Sequence, residues 1–281
     1  MTDTTTPLLA GVMGWPISHS LSPALHGYWL KEHGIVGEYL PLAVPPDKLE
    51  VALRSLLFQG YKGVNVTVPH KEKVMKFCDS LDESAQRIGA VNMVSITESG
   101  KLAGRNTDGI GFLENLRCES KWQSGNGPAV VLGAGGAARA IVASLIKAGV
   151  PAVFICNRTH SRSKLLADFF GKKCKAISWV DRGAVLVGAN LLVNTTSLGM
   201  KGQPSLEIDL SDLPIGSVVN DIVYAPLETQ LLAAARRRGN PIVDGLGMLL
   251  YQARPAFQSW FGVMPNVSVG LRHFIQKQLD Y

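Results

Sequence analysis

The sequence lacks the features that define several large protein classes. None of its apolar runs approaches the roughly 18 residues of a membrane-spanning helix. The first residues, MTDTTTPLLA, have neither the basic start nor the long apolar stretch of a secretory signal. The four cysteines lie far apart and form no CxxC pair: Cys78, Cys118, Cys156 and Cys174. We therefore expect a cytoplasmic protein with reduced thiols, no metal site and no membrane contact.

Signals for nucleic-acid binding are also missing, although the net charge is +6 with 28 basic and 22 acidic residues. The densest basic run, Arg236-Arg237-Arg238, precedes Gly239 at a predicted helix end, where cations complement the helix dipole. No aromatic residues alternate with basic ones, and no zinc-finger spacing occurs. We expect no nucleic-acid partner, and the positive charge suits anionic small molecules.

The length of 281 residues favours two domains. Short strands and helical stretches alternate in the first part of the chain. A Gly-rich and polar stretch, 121–128, is typical of a linker. A second series of alternating strands and helices begins after it at AVVLGAG. This alternation predicts an α/β fold with largely parallel sheets. The predicted strands of the first part are 8–13, 37–43, 62–68 and 90–96, and its predicted helices are 22–33, 46–58 and 71–85.

A glycine-rich loop, VVLGAGGAARA, opens the second series and fits the pattern G-x-G-x-x-G/A. Gly133 permits a tight turn from strand to helix, Gly135 permits close approach of a pyrophosphate, and Ala138 permits close packing of helix on strand. The following helix N-terminus offers N–H donors to phosphate. A plain connecting loop is the alternative, but the loop lies between a predicted strand and a predicted helix, which favours a dinucleotide site.

The next predicted strand ends in FICNRTHSRSK. An NAD site usually has an acidic residue here to bind the ribose 2′-hydroxyl, and this stretch has none. Arg158 and Arg162 instead offer guanidinium groups that suit a phosphate, and Thr159 offers a hydroxyl. The sequence therefore favours NADP over NAD. A solvated loop at the start of a helix is the structural alternative.

Polar residues cluster at four places in the first part of the chain: Ser20 and Ser22; Asn65, Thr67 and Lys71; Asn92; and Asp108. Each has an ordinary structural explanation when taken alone. Ser22 before Pro23 is typical of a helix N-cap, Asn92 and Asp108 suit turns, and Lys71 suits the exposed first turn of a helix.

Eight motifs occur together in order: GWPISHSLSPALH, NVTVPHK, IGAVN, NTDG, GAGGAA, NRTxxR, NTTSLGM and DGLGMLLYQA. This series resembles the shikimate dehydrogenase family over about residues 10–270. The resemblance implies a substrate-binding α/β domain, 1–107 with 246–281, and a Rossmann-type NADP-binding domain, 108–245, with the active site in the cleft between them. It also implies reversible reduction of 3-dehydroshikimate to shikimate by NADPH, a step of aromatic amino-acid biosynthesis.

The resemblance assigns roles to the polar residues. Ser20 and Ser22, with Tyr224 nearby, resemble the family's ligands for the substrate carboxylate. Its ligands for the ring hydroxyls correspond to Asn65, Thr67, Asn92, Asp108 and Gln252. Lys71 and Asp108 resemble its catalytic pair. Negative charge grows on the ketone oxygen during reduction, and a lysine beside that oxygen can stabilise it and donate a proton.

The cofactor residues follow from the same motifs. The pyrophosphate loop corresponds to Gly133, Ala134, Gly135, Gly136 and Ala137. The 2′-phosphate site corresponds to Asn157, Arg158, Thr159 and Arg162. Residues on the nicotinamide side correspond to Thr195, Ile222, Gly245 and Met248, and Ile222 stands where some family members have methionine.

Two alternatives to this function stay open. One is a quinate or dual quinate/shikimate dehydrogenase, which more often uses NAD. The other is a nucleotide-sensing module that has lost catalysis, although such a protein would be expected to lack Lys71 or Asp108. The sequence leaves the choice between monomer and homodimer undecided.

Overall fold

The structure is a computed structural model that describes residues 6–279. These residues divide into two units. Unit 1 contains the described residues up to Thr107 together with those from Gln252 onward, and unit 2 runs from Asp108 to Tyr251. Each unit is built around its own six-stranded sheet.

The sheet of unit 1 is mixed. Its strands are β1 (Leu8–Gly14), β2 (Gly37–Ala43), β3 (Tyr61–Val66), β4 (Ser80–Leu81), β5 (Met93–Ile96) and β6 (Leu102–Arg105). They lie in the order β2-β1-β3-β5-β6-β4. β1 runs parallel to β2 and β3, whereas β5 is antiparallel to both of its neighbours. The expectation of a largely parallel sheet is therefore wrong for β5, because a tight turn closed by Thr97 N–H on the Lys101 carbonyl (2.9 Å) joins β5 to β6 as a hairpin.

The helices in the N-terminal part of unit 1 are short. They are α1 (Ser22–Glu32), α2 (Leu49–Ser55) and α3 (Glu83–Ile88). The predicted helix over 71–85 is wrong, since that stretch holds a 3-10 helix (Lys73–Phe77), β4 and only the start of α3. Two interactions prevent a continuous helix. The Asp79 N–H pairs with the Leu102 carbonyl (2.8 Å), which draws the chain into the sheet, and the Asp82 carboxylate caps α3 by accepting from the Ala85 N–H (2.9 Å).

Unit 2 has a sheet with one strand direction throughout. Its strands are β7 (Ala129–Leu132), β8 (Val153–Cys156), β9 (Cys174–Ile177), β10 (Leu191–Asn194), β11 (Val218–Asp221) and β12 (Ile242–Val243). They lie in the order β12-β11-β10-β7-β8-β9, and every neighbouring pair is parallel. Alternate residues of β7 enter different apolar cores, Val131 one and Val130 the other. Both faces are therefore covered, as a parallel sheet requires.

The helices of unit 2 are α4 (Asp108–Glu119), α5 (Gly136–Ala148), α6 (His160–Phe170) and α7 (Gln230–Arg238). The stretch 121–128, expected to be a linker, lies inside unit 2 and joins α4 to β7 through a short 3-10 helix. None of the helices within residues 6–279 has both the length and the apolarity needed to cross a bilayer.

Helix α8 (Leu246–Phe261) contributes to both units. Met248, in its first turn, packs in a core of unit 2, whereas Phe257 packs against Trp29 of unit 1 with ring centroids 5.4 Å apart. The division between units therefore falls inside this helix, after Tyr251, rather than at residue 246. The chain ends in α9 (Val269–Lys277), which contacts α1 within unit 1.

A buried carboxylate ties together the end of the unit 2 sheet. Asp221, the last residue of β11, accepts hydrogen bonds from the Asn194 side chain (3.0 Å), the Val223 N–H (3.0 Å) and the Thr229 hydroxyl (2.7 Å). Burial raises the pKa of Asp221 to about 6, against these three bonds, which lower it. The folded protein thus holds a proton on Asp221 more tightly than the unfolded chain does.

This raised pKa predicts an effect of pH on stability. Asp221 stabilises the fold most at low pH, and that contribution is lost as pH rises from the unfolded value of 3.8 through about 6. The substitution Asp221→Asn removes this dependence and can keep the surrounding hydrogen bonds. Relative to Asp221→Asn, the unmodified protein should gain about 1 kcal/mol in free energy of unfolding on going from pH 7 to pH 5. Denaturant titrations at both pH values measure this, with the exposed Asp212→Asn as matched control. An identical pH dependence in Asp221→Asn and the unmodified protein would contradict the prediction.

Candidate active site

The first site element is the end of strand β3 and the turn after it. Val64 and Val66 are buried in the core of unit 1, so Asn65 points to the opposite face. Strand pairing ends at Val66, but the Thr67 N–H still donates to the Met13 carbonyl (2.9 Å), which holds Thr67 alongside β1. Gly63 is required here, because a Cβ atom would collide with the Trp260 side chain and the Val94 carbonyl.

Three predicted substrate ligands meet in one hydrogen-bonded network. The Asn65 side-chain amide donates to the Asn92 backbone carbonyl (3.0 Å), and the Asn92 side-chain amide donates to the Gln252 side-chain oxygen (3.2 Å). The Asn92 side-chain oxygen accepts the Thr107 N–H (2.8 Å). Asn65 and Asn92 are 6% and 2% exposed. The structure therefore brings together residues that lie as far apart in sequence as 65 and 252.

Thr107 is a member of this network that the sequence analysis missed. Its hydroxyl donates to the Gln252 carbonyl (2.8 Å) and accepts from the Asn92 amide (3.0 Å). It is 1% exposed and fixes two of the predicted ligands at once. The sequence does contain a signal for Thr107, because this residue belongs to the motif NTDG, in which only Asp108 is a predicted site residue.

The two serines lie at the start of α1 but do not cap it. The N-cap residue is Leu21, and no side chain caps the helix, so the expectation that Ser22 acts as N-cap is wrong. Pro23 occupies the first turn, where no N–H donor is needed. The Ser20 side chain accepts a long hydrogen bond (3.4 Å) from the Ser22 N–H.

Lys71 lies in a turn, ahead of the 3-10 helix Lys73–Phe77, and not in the first turn of a helix as the structural alternative assumed. Its backbone is held on both sides. The Lys71 carbonyl accepts the Val91 N–H (2.7 Å), and the neighbouring His70 is buried with its Nε2 2.8 Å from the Val44 carbonyl. The side chain of Lys71 is half-buried.

Asp108 is the first residue of unit 2 and of helix α4. It is 3% exposed, so the turn-aspartate explanation does not apply. A carboxylate in the first turn of a helix interacts favourably with the positive end of the helix dipole.

The predicted cofactor residues of unit 2 share one edge of its parallel sheet. They follow the carboxyl ends of β7, β8, β10, β11 and β12. The last residue of β7, Leu132, pairs with Cys156 of β8 on one side and with Asn194 of β10 on the other. The chain runs outward from β7 through β8 and β9 and then returns to the other side of β7 at β10, so the strand order reverses at β7. In open α/β sheets, ligands bind at the point where the strand order reverses.

The glycine loop fits a pyrophosphate. Gly133 has φ +114°, its N–H donates to the Cys156 carbonyl (2.7 Å), and a Cβ atom there would collide with the Thr195 hydroxyl. A Cβ at Gly135 would meet no atom within 4 Å, so this position opens on space that a phosphate can occupy. Helix α5 begins at Gly136, and its first turn has no acidic residue to repel an anion.

The loop after β8 fits a second phosphate. The Asn157 side chain donates to the Thr159 carbonyl (2.9 Å) and shapes the loop, and Thr159 is the N-cap residue of α6. Arg158, Thr159 and Arg162 are exposed, which leaves two guanidinium groups accessible beside the glycine loop.

The remaining predicted cofactor residues follow β10, β11 and β12 at the same edge of the sheet: Thr195, Ile222, Gly245 and Met248. The Thr195 hydroxyl donates to the Leu132 carbonyl (2.7 Å), next to Gly133. Ile222 packs against the core that contains Met248, and a Cβ at Gly245 would overlap the Ile222 carbonyl group. Burial raises the pKa of Tyr224.

The parallel sheet, the switch point at β7 and the glycine loop define unit 2 as a Rossmann-type dinucleotide-binding domain. The class of protein is therefore a two-unit dinucleotide-binding protein, with a polar amide network in its other unit.

Family models match three parts of the chain. Residues 12–94 match a shikimate dehydrogenase substrate binding domain, residues 119–199 match shikimate/quinate 5-dehydrogenase, and residues 245–272 match a shikimate 5′-dehydrogenase C-terminal domain. A shikimate dehydrogenase (NADP(+)) of Paramagnetospirillum magneticum is 58% identical over 269 residues, which are 95% of this chain and 97% of that protein. The chain belongs to the shikimate dehydrogenase family, and the predicted membership is confirmed.

Solved structures confirm the predicted two-domain α/β fold class. The shikimate 5-dehydrogenase of Thermus thermophilus in complex with NADP(H) and shikimate is 37% identical with a TM-score of 0.86, covering 96% of this chain and 99% of that one. A quinate dehydrogenase of Corynebacterium glutamicum in complex with NAD is 30% identical with a TM-score of 0.89, covering 96% of this chain and 99% of that one. The fold alone therefore does not separate shikimate from quinate or NADP from NAD.

Proposed function

We propose that the chain is an NADP-dependent shikimate dehydrogenase that interconverts 3-dehydroshikimate and shikimate. The observation that carries this proposal is the amide network of Asn65, Asn92 and Gln252, which presents fixed hydrogen-bonding groups suited to a polyhydroxylated ring. A site built to bond several hydroxyls discriminates strongly against analogues that lack them. Membership of the family and a Rossmann-type unit agree with this function.

The chemistry divides between cofactor and chain. NADPH, when bound, supplies the hydride that adds to the ketone carbon. Lys71 donates the proton that the ketone oxygen needs and stabilises the negative charge growing there, an interaction stronger in the transition state than in the ground state. Asp108 is its proposed partner and orients the substrate hydroxyl. The hydroxyls of Ser20 and Ser22 bind the substrate carboxylate, with Tyr224 alongside, and Thr67 binds a ring hydroxyl.

The cofactor residues act through the carboxyl edge of the unit 2 sheet. The loop Gly133–Ala137 and the N-terminus of α5 bind the pyrophosphate. Asn157, Arg158, Thr159 and Arg162 bind the 2′-phosphate, and Thr195, Ile222, Gly245 and Met248 contact the nicotinamide side. The chemistry needs no metal. We expect the protein to act in the cytoplasm as a monomer or homodimer.

The most informative experiment follows NADPH oxidation by the purified chain with 3-dehydroshikimate, and the reverse reaction with shikimate. We expect turnover, with kcat/KM higher for shikimate than for quinate and higher for NADP⁺ than for NAD⁺. A preference for quinate and NAD⁺ would favour the dual dehydrogenase, and tight NADPH binding with no turnover would favour a sensing module.

Replacement of Lys71 tests the proton donor. Lys71→Ala should lower kcat by about 10²-fold or more, with a smaller effect on KM, because it removes a group that acts mainly in the transition state. Steady-state kinetics with 3-dehydroshikimate measure this, and the exposed Lys76→Ala is the matched control. Unchanged turnover in Lys71→Ala would refute the assignment.

Replacement of Arg158 tests the choice of nucleotide. Arg158→Ala should reduce the ratio of kcat/KM for NADPH to that for NADH by about tenfold or more, because a guanidinium–phosphate bond is lost for one nucleotide only. Lys164→Ala, which removes an exposed cation of the following helix α6, should leave the ratio unchanged. If both variants shifted it equally, general charge rather than a 2′-phosphate site would be responsible.

A further inference from the structure

Tyr39 is a buried residue of β2 that the proposed mechanism does not use. Its ring stacks on His26 with centroids 3.8 Å apart and planes 6° from parallel, and the Trp260 ring lies 6.3 Å away. His26 is fully buried, and its two ring nitrogens have no hydrogen-bond partner within residues 6–279. Burial lowers the pKa of His26 to about 3, so at neutral pH the imidazole is an uncharged flat surface. The orientation of the Tyr39 ring is therefore set by stacking.

The hydroxyl of Tyr39 bonds to one of the proposed substrate ligands. It donates to the Asn65 side-chain oxygen (2.7 Å). Burial raises the pKa of Tyr39 well above its usual value, so the hydroxyl keeps its proton and stays a donor. This bond therefore ties strand β2 to a proposed ligand in strand β3.

The bond to Tyr39 settles which way the Asn65 amide faces. Because Tyr39 donates to the side-chain oxygen, the amide nitrogen must point the other way, where one of its hydrogens goes to the Asn92 carbonyl (3.0 Å). A flip of the amide would place an N–H against the Tyr39 hydroxyl hydrogen and an oxygen against the Asn92 carbonyl. The Asn65 amide is therefore fixed with its oxygen toward Tyr39 and its nitrogen toward the Asn92 backbone carbonyl.

We propose that Tyr39 is a positioning residue that sets substrate affinity by holding the Asn65 amide in the orientation that the substrate needs. The inference rests on the proposed function, because that function assigns Asn65 to the substrate. Tyr39 acts through this side chain and not through the cofactor, whose residues lie in unit 2. Its loss should weaken substrate binding selectively.

The substitution Tyr39→Phe tests this, because it removes the hydroxyl and keeps the ring on His26. KM for 3-dehydroshikimate should rise about tenfold, the scale of one lost buried hydrogen bond. KM for NADPH should stay within about twofold of the unmodified value, and kcat should change less than the KM for 3-dehydroshikimate. The matched control is Tyr61→Phe, since Tyr61 is a buried tyrosine of the same sheet that packs in the apolar core. It should leave both KM values unchanged.

A double substitution separates positioning from a general loss of structure. In an Asn65→Ala background, Tyr39→Phe should raise KM for 3-dehydroshikimate by clearly less than it does alone, because the group it positions is already gone. Equal effects in both backgrounds, an unchanged KM for 3-dehydroshikimate in Tyr39→Phe, or an equal rise in KM for NADPH would overturn the proposal. The experiments distinguish a failure of the proposed function from a failure of the role of Tyr39. An unmodified chain without turnover would overturn the proposed function and this inference together, whereas an active chain with an indifferent Tyr39→Phe would overturn only the role of Tyr39.

Discussion

The common direction of the six strands of unit 2 is the constraint on which its cofactor chemistry depends. Because every neighbouring pair is parallel, the loop after each strand emerges at the same edge. The glycine loop and the loop after β8 that carries Arg158 and Arg162 (the arginine loop) are therefore neighbours, since Leu132 and Cys156 end adjacent strands in register. Strand pairing therefore places the two loops that we propose to bind phosphate groups next to each other.

Unit 1 reaches an ordered polar site by a different physical route. Its sheet is mixed, and the proposed substrate ligands are fixed by side-chain hydrogen bonds rather than by a shared strand edge. Asn92 is central, because its side-chain oxygen takes the Thr107 N–H while its amide reaches Gln252. Buried amides of this kind have few acceptable orientations, since each wrong one leaves a donor or acceptor unsatisfied. Asn65 obeys the same rule through its bonds to Tyr39 and to the Asn92 backbone carbonyl. Uncharged side chains can therefore be held in fixed orientations.

Local sequence signals predicted those parts of the protein that local physics determines. The glycine loop follows from a strand, a tight turn and a helix start within about ten residues, and the structure has β7, Gly133 and α5 in that order. Motifs in order along the chain predicted the family, which the relatives confirm. The residue roles within the site stay predictions.

Interactions between distant residues determine what the sequence could not predict. The helix expected over 71–85 fails because Asp79 pairs with Leu102 across the sheet, and the N-cap residue of α1 is Leu21 rather than Ser22. The predicted strand 62–68 contains Asn65 but does not give the orientation of its amide, which depends on a partner in β2. No periodicity or motif near Tyr39 marks it, since its role exists only in the folded chain.

The central claim is that the amide network of unit 1 binds the substrate ring and that the arginine loop of unit 2 binds the 2′-phosphate. A crystal structure of the chain with shikimate and NADP⁺ tests both most directly. The account predicts ring hydroxyls within hydrogen-bonding distance, about 2.7–3.2 Å, of the Asn65 and Asn92 side chains, and the 2′-phosphate against Arg158. Shikimate bound away from these amides, or a 2′-phosphate that contacts neither Arg158 nor Arg162, would contradict it.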